Sequence, residues 1–389
     1  MGGVKITDVL KKYTMVIALV LVVAFFYWKT SGAILSPSAL DSLISQNAYV
    51  FVLSAGMLLC ILTGGNIDLA CGSVLCFVGG VGASLMDKNV SIWIAVLVML
   101  AGGALVGIWQ GFWIAYVKVP PFIATLAGMY VFRGLSNVVL EGKTVGVENT
   151  TYLNVFGGGA DCYVSDLFGG TNFNLTCFIV GIVIALIYIA LVMRDRFMAK
   201  VKGYVVPPFI STVIKMVIIS AVIIWLAYKL AQYKGIPTVL IWILLVLLAY
   251  SYITTKTAMG RYLYAVGGNE KATKLSGIDP RKVYFFAYTN MGIMSGLAGI
   301  LTIARQRGAQ PTFGLGYEMD AIAACFIGGA SAYGGEGNIF GVVIGALLMG
   351  VINQGMYLID MEANYQKVIK GLVLLVAIIF DVMSKKKKS

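Results

Sequence analysis

Apolar stretches of about 18 to 22 residues recur along the whole sequence, and they constrain its fold more than any other feature. A helix of that length spans the roughly 30 Å hydrocarbon core of a bilayer. Composition agrees, because 59% of residues are hydrophobic and only 12% are charged, against roughly 25% charged in soluble domains. The chain is therefore predicted to be an all-α, polytopic membrane protein. Repetition of these stretches excludes a removable signal peptide followed by a soluble domain.

Window hydropathy predicts about twelve membrane segments packed as one helical bundle, with residues 1–389 forming a single transmembrane domain. The third and tenth segments are short, which favours broken or tilted helices over simple spans. We expect the segments near residues 13–29, 46–63, 73–86, 90–117, 121–140, 174–193, 212–231, 236–253, 283–304, 319–333, 338–357 and 364–382.

Loop charge predicts the orientation of these segments. Lysines within residues 5–12 precede the first segment and the lysines of 385–388 follow the last, so both termini are expected in the cytosol. The same rule explains the net charge of +12 without nucleic acid as a partner. It also places the basic stretch 194–204 in the cytosol and makes residues 141–173 an external loop. The acidic residues of that loop are Glu141, Glu148, Asp161 and Asp166.

Motifs for catalysis or cofactor binding are missing from the sequence. It contains no histidine, which removes the commonest general base and metal ligand. The "GKT" at 142–144 resembles the end of a phosphate-binding loop, but Asn137 stands where that motif needs glycine. We therefore expect a non-enzyme that binds no metal, cofactor or ATP itself. The spacing of the cysteines does not match a zinc site, and we expect them to be buried as small apolar residues. Whether Cys162 and Cys177 form a disulfide is not decided by the sequence.

Polar residues that interrupt the apolar segments are candidates for a translocation path. Such side chains are costly in hydrocarbon and usually face the bundle interior or water. Hydrogen bonding between helices is the alternative role for the amides, and capping of the next helix is the alternative for Asp68. Asp320 is expected at a helix N-terminus. The candidate path residues are Gln46, Asn47, Asn66, Asp68, Asn137, Asn353 and Gln354.

Glycine is concentrated in two regions, residues 56–84 and 325–350. Small residues let membrane helices approach closely, so helix packing explains most of this pattern. The alternative is that glycine interrupts helices that line a passage, as it does in transporters.

A short, charged helix is predicted within "GRYLYAVGGNEKATKLSGIDPRKV" (260–283). Asn269 is a suitable N-cap, and Gly277 with Pro280 ends the helix. A helix of about two turns is too short to be stable alone in water, so it must dock on something. It offers little apolar surface for lipid, which favours a groove on a cytosolic protein. The predicted coupling residues are Asn269, Glu270, Lys271, Ala272, Lys274, Leu275, Gly277 and Ile278, within a cytosolic loop at 254–282.

Several ordered blocks resemble the permease subunits of ABC importers for monosaccharides, the ribose, xylose and galactose class. The resemblance covers residues 46–382 and favours the xylose or multiple-monosaccharide branch. The blocks are "ILTGGNIDLACGS", "PPFIATLAGMYVFRG", "GRYLYAVGGNEKATKLSGI", "GYEMDAIAACFIGGASAYGG" and "IKGLVLL". Three segments are predicted between the external loop and the coupling loop, as in the longer members of the class. Glu336 and Tyr365 differ from the residues that are usual at these positions in the class. They leave the identity of the transported sugar undecided.

This resemblance implies a type II-like importer permease in the bacterial cytoplasmic membrane. Its implied partners are a second permease copy, a cytosolic ABC ATPase that binds ATP and Mg, an external sugar-binding protein and membrane lipid. The solute would be xylose, galactose, glucose or a similar monosaccharide. Branched-chain amino acids and nucleosides are rival solutes. An ATPase-independent secondary carrier or channel is the rival mechanism, although it gives the capped basic helix no role.

Overall fold

The computed structural model describes residues 6–170, 173–204, 206 and 208–386, and these form an almost entirely helical structure. The first eight helices are α1 (Ile6–Lys29), α2 (Pro37–Gln46), α3 (Ala48–Leu62), α4 (Cys71–Asp87), α5 (Ile92–Phe112), α6 (Pro121–Leu140), α7 (Thr150–Phe156) and α8 (Leu175–Val201). The others are α9 (Phe209–Ala231), α10 (Thr238–Lys256), α11 (Ala258–Gly268), α12 (Glu270–Leu275), α13 (Pro280–Gln306), α14 (Tyr317–Ile327), α15 (Ile339–Leu358) and α16 (Ala363–Lys386). Strands β1 (Val145–Gly146) and β2 (Gly308–Ala309) pair antiparallel.

The predicted count of about twelve spans is not confirmed. By length and composition, seven described helices could cross a membrane, or eight if the α2–α3 pair, bent by 43°, counts as one span. Each predicted segment does correspond to a helix, but several are too short. Helix α4 has 17 residues and α14 has 11, and 11 residues give only about 16 Å at 1.5 Å per residue. Helix α16 carries Lys367, Lys370 and Asp381 among its apolar residues, and it is not one of the helices that could cross a membrane by length and composition.

Close helix packing at the centre depends on glycine. Helices α5 and α13 cross where a Cβ at Gly292 would collide with the carbonyl oxygen of Gly103. A Cβ at Gly345 would likewise collide with the carbonyl oxygen of Ala324, which brings α15 against α14. The α5–α13 crossing lies outside both glycine-rich regions, whereas the α14–α15 contact lies within the second. Packing through small residues is therefore the role of many of these glycines.

Loops gather at two opposite ends of the bundle. At one end, β1 pairs with β2 and the amide N–H of Val164 donates to the Ile236 carbonyl at 2.9 Å. We call this end the loop face; it comprises residues 141–170, 232–237 and 307–316. At the other end, α11 and α12 lie beside the breaks that follow α3 and α14. We call that end the short-helix face; it comprises residues 63–70, 257–279 and 328–338.

All six cysteines are buried and free. The disulfide between Cys162 and Cys177, which the sequence left open, is therefore not present in this structure. The Cys177 thiol instead lies 3.5 Å from the Ala227 carbonyl oxygen, within the contact between α8 and α9. The expected role of the cysteines as buried small residues is confirmed.

Candidate functional site

A polar cavity of about 390 Å³ lies between the helix ends near the loop face. The bend between α2 and α3 brings residues 46–49 to it, and the end of α13 contributes residues 305 and 306. The start of α14, the end of α15 and the first turns of α16 complete the wall. The lining residues are Gln46, Asn47, Tyr49, Arg305, Gln306, Tyr317, Asn353, Tyr357, Gln366 and Lys370.

Asp320 organises the wall of this cavity. Its side chain is fully buried, and its Oδ2 accepts hydrogen bonds from the Tyr49 hydroxyl at 2.6 Å and from Lys370 Nζ at 2.9 Å. Asn353 Nδ2 lies 3.5 Å from the same oxygen and donates to Asn47 Oδ1 at 2.9 Å. A buried carboxylate needs such partners to offset its loss of hydration. Helices α3, α14, α15 and α16 are thereby joined around one charge.

The cavity presents amide groups and the two cations Arg305 and Lys370 beside aromatic rings. Its amides come from Gln46, Asn47 and Asn353 among others, and the rings of Tyr49 and Tyr317 stack at 3.6 Å between centroids. Buried amide and hydroxyl groups next to apolar ring faces suit a neutral, polyhydroxylated solute, because each hydroxyl both donates and accepts.

Two buried polar atoms of lining residues are unpaired. Asn353 Oδ1 and Arg305 Nε find no hydrogen-bond partner among the residues that the structure describes. Unpaired buried groups of this kind are rare and costly, and they often mark sites where a ligand bonds. The wall of the cavity therefore holds one buried acceptor and one buried donor that lack a partner among the described residues.

The predicted path residues divide into two groups. Gln46, Asn47 and Asn353 line the cavity together. Gln354 is 2% exposed, does not line it, and has an Oε1 without a hydrogen-bond partner among the described residues.

Asn66, Asp68 and Asn137 lie elsewhere in the bundle. Asn66 Nδ2 bonds the Thr63 carbonyl at 3.3 Å in the break after α3. Asp68 Oδ1 accepts the N–H of Ala70 at 2.7 Å, but Ala70 is itself the N-cap residue of α4 and no side chain caps that helix, so Asp68 does not have the capping role considered for it. Asn137 is exposed and bonds its own helix one turn back.

Sequence reasoning missed seven cavity residues: Tyr49, Arg305, Gln306, Tyr317, Tyr357, Gln366 and Lys370. Lys370 was available as a cation inside the apolar stretch of α16, and Arg305 as a cation near the end of α13. A charge within an apolar segment is a signal of a functional site in its own right. Tyr317 and Tyr357 gave no such signal, because tyrosine is common near membrane interfaces.

The predicted coupling residues lie at the short-helix face, within the separate helix α12 or directly beside it. Asn269 caps it as predicted, with its Oδ1 accepting the Ala272 N–H at 2.9 Å. Gly277 follows it with φ +84°, the left-handed geometry that ends helices. Leu275 is 90% exposed, so this apolar side chain projects from the end of the helix. Helix α11, which precedes α12, was not predicted.

Helix α12 is tied to α13 through one side-chain hydrogen bond, and a second bond stabilises the start of α13 itself. The Tyr284 hydroxyl donates to Glu270 Oε2 at 3.0 Å. Asp279 caps α13, and hydrogen bonding from the Arg281 guanidinium holds the pKa of the Asp279 carboxyl below its usual range. A side-chain hydrogen bond therefore joins α12 to α13.

Three backbone segments press together beside α12. The Gly335 N–H donates to the Leu62 carbonyl at 3.1 Å. A Cβ at Gly65 would collide with the Ala332 carbonyl oxygen, and one at Gly267 with the Leu62 carbonyl oxygen. Both glycine-rich regions thus contain a helix break, and the two breaks meet here. We call this contact of residues 62–65, 267 and 332–335 the glycine seam.

Comparison with known proteins defines the class. Residues 39–378 match the family described as branched-chain amino acid transport system / permease component, and the chain belongs to this family of membrane permeases.

Relatives of the chain include sugar permeases. The chain is 33% identical to the xylose transport system permease protein XylH of Escherichia coli (strain K12), covering 97% of this chain and 93% of that protein. It is 35% identical to XylH of Haemophilus influenzae, covering 97% and 98%. Identity to the ribose import permease protein RbsC of Escherichia coli (strain K12) is 34%, covering 88% and 85%. No solved structure matches the chain.

Proposed function

We propose that this chain is the pore-forming permease subunit of an ATP-driven importer that carries a monosaccharide into the bacterial cytosol. The observation that carries this proposal is the polar cavity of about 390 Å³ inside an otherwise apolar bundle. The relatives named for xylose and ribose supply the class of solute. Xylose, galactose, glucose or a similar sugar fits the amides and tyrosines of this lining, whose cations Arg305 and Lys370 can donate to sugar hydroxyls.

The loop face is proposed as the external side and the short-helix face as the cytosolic side. Loop charge supports this orientation, with both termini in the cytosol and residues 141–173 outside. A sugar would then enter the cavity from outside and meet the glycine seam on its way in. In the proposed bundle of about twelve segments, α4 and α14 enter the membrane without crossing it alone, and α1 and α16 complete the unit.

Partners follow from the two faces. A cytosolic ABC ATPase, which binds the ATP and Mg, would receive α12 with Leu275 in its groove, because an exposed leucine on a short capped helix needs a partner. An external sugar-binding protein would deliver its cargo at the loop face. A second copy of the chain would complete the pore as a homodimer. Closing of the ATPase would pull α12 and open the glycine seam.

Reconstitution tests the proposal. Proteoliposomes that contain the permease, with its ATPase facing the lumen, should take up radiolabelled xylose or another monosaccharide. Uptake should require ATP in the lumen and sugar-binding protein in the outside medium. Branched-chain amino acids and nucleosides serve as competing solutes in the same assay. Sugar uptake without any ATPase would instead establish the ATPase-independent carrier, and uptake of amino acids or nucleosides would reassign the cargo.

A further inference from the structure

A second, much smaller space adjoins the polar cavity. It has a volume of about 10 Å³ and lies between residues 45–49 and residues 301–306, with Tyr317 at its side. We call this space the side pocket. Its wall shares Gln46, Arg305 and Tyr317, among others, with the larger cavity. A space of that size holds one water molecule or one hydroxyl group and nothing larger.

Two hydroxyl side chains line the side pocket. Ser45 comes from the last turn of α2 and Thr302 from α13, and both are buried. Among the described residues, neither hydroxyl has a hydrogen-bond partner. Serine and threonine in helices commonly donate to a carbonyl of their own helix, as Ser295 of α13 does to the Met291 carbonyl at 3.0 Å. The hydroxyls of Ser45 and Thr302 are therefore free to bond a group inside the side pocket.

Arg305 adds a donor to the same wall. It follows Thr302 by three positions on α13, so the two side chains lie on one face of the helix. Its buried Nε has no hydrogen-bond partner among the described residues. Asp41, one turn before Ser45 on α2, interacts with the charge of Arg305 but does not accept from this N–H. A guanidinium N–H that donates to a neutral oxygen forms a charge-assisted hydrogen bond, which is stronger than a neutral one.

These three groups match the hydrogen bonds of a single hydroxyl. A hydroxyl oxygen accepts two hydrogen bonds and its proton is donated in a third. Arg305 can only donate, whereas Ser45 and Thr302 can each donate or accept. A water molecule fits the same description, and the adjoining cavity of about 390 Å³ allows a hydroxyl of a larger solute to take its place.

We propose that one hydroxyl of the transported monosaccharide occupies the side pocket, where it bonds Arg305, Ser45 and Thr302 while the sugar ring stays in the larger cavity. This inference rests on the proposed function, because it identifies the residues that recognise its solute. A site built to bond a hydroxyl rejects an analogue that lacks it. The permease itself would therefore discriminate between sugars at one ring position.

Binding of deoxy sugars to the purified full-length permease tests the proposal. Saturation-transfer NMR in nanodiscs would follow titrations with xylose and with its 2-deoxy, 3-deoxy and 4-deoxy derivatives, since the method detects affinities in the millimolar range. We expect one of the three derivatives to bind about ten-fold more weakly than xylose. The O-methyl xylose substituted at that same position should bind as weakly, because the side pocket has no room for a methyl group.

Variants of the two hydroxyl residues separate recognition from folding. Thr302→Val keeps the shape of the side chain and should weaken xylose binding about five-fold. It should leave binding of the poorly bound deoxy sugar within about two-fold of the wild type, because that sugar lacks the group that Thr302 bonds. Ser45→Ala should show the same pattern. Ser220→Ala is the matched control, since Ser220 of α9 is equally buried and also unpaired but does not line either space.

Two results would overturn the proposal. Equal binding of xylose and all three deoxy sugars to the wild type would show that the side pocket holds water only. Equal losses for xylose and the deoxy sugar in Thr302→Val would show that the residue acts on the structure of the cavity. Both results leave the proposed function intact, which fails instead if the reconstituted importer takes up no monosaccharide.

Discussion

Lys370 Nζ lies 2.9 Å from Asp320 Oδ2, and the two partners of this ion pair are unequally buried. The Asp320 side chain is fully buried, whereas the Lys370 side chain is 25% exposed to the cavity. The carboxylate is thus inside the helix packing and the ammonium is at its polar edge. Asp320 depends on Lys370 more than Lys370 depends on Asp320, because only the lysine has access to another polar environment.

Loss of Lys370 should therefore destabilise the protein more than loss of the Asp320 charge. Lys370→Met leaves a buried, unpaired carboxylate, and we expect it to lower the free energy of unfolding by about 3 kcal/mol. Asp320→Asn should cost less, because Lys370 can turn towards the cavity. Thermal unfolding in detergent measures both. The double variant should recover part of the loss, and equal stability of Lys370→Met and the wild type would contradict this account.

Asn353 and its neighbour Gln354 form a matched pair for testing the cavity. Asn353→Ala removes the hydrogen bond to Asn47 and an amide that lines the cavity, so sugar uptake should fall about five-fold, corresponding to about 1 kcal/mol. Gln354→Met replaces a buried side chain that does not line the cavity and should change uptake by less than two-fold. Initial uptake rates in proteoliposomes, normalised to inserted protein, compare them. A larger loss for Gln354→Met would move the path away from the cavity.

Leu275 tests the docking of α12. We expect Leu275→Asp to abolish stimulation of the ATPase by loaded binding protein, because a charge replaces an apolar side chain in the proposed groove. Insertion and thermal stability should stay normal, since 90% of the leucine is exposed. Leu275→Met keeps the volume and should retain stimulation. Full stimulation of the aspartate variant would show that α12 does not couple.

Local patterns in the sequence predicted much of the fold. The segment predicted at 121–140 matches α6, Pro121–Leu140, because Pro120–Pro121 starts the helix and the apolar run sets its length. The cap at Asn269 was also predicted, since capping depends on neighbouring residues. The predicted count of spans is not confirmed, because hydropathy cannot separate an 11-residue helix, such as α14, from the residues after it.

Long-range placement explains what the sequence did not predict at the site. Asn47 and Asn353 are separated by 306 positions, yet they share a hydrogen bond. Their polarity identified both residues as candidates. Local sequence could not distinguish them from Asn137, whose side chain bonds its own helix. The partnership of Lys370 with Asp320 likewise depends on how α14 and α16 pack.

Reporter fusions test the orientation. Fusions after Val117, Met193 and Thr255 should read as cytosolic, and a fusion after Asn149 as external, because basic loops remain in the cytosol. Alkaline phosphatase and a fluorescent protein serve as complementary reporters at each position. The C-terminal ends of α5, α8 and α10 lie away from the loop face, which agrees with a cytosolic location for the first three fusion sites. Inversion of one reporter would mean that a helix between it and its neighbour does not cross.

Adjacent glycines at the end of α11 test the glycine seam. A Cβ at Gly267 would collide with the Leu62 carbonyl oxygen, whereas a Cβ at Gly268 meets no atom within 4 Å. Gly267→Ala should therefore push the backbones of the seam apart, and Gly268→Ala should not. Because the seam is the proposed closure on the cytosolic side, we expect Gly267→Ala to raise passive sugar flux through the permease in the absence of ATP.

Passive efflux of radiolabelled sugar from loaded proteoliposomes measures that flux, with thermal unfolding as a check on folding. We expect an increase of about ten-fold or more for Gly267→Ala, because opening a closed seam needs only a few kcal/mol of strain. Gly268→Ala should match the wild type. If Gly267→Ala folds normally and stays as impermeable as Gly268→Ala, the seam is a packing contact and the path closes elsewhere.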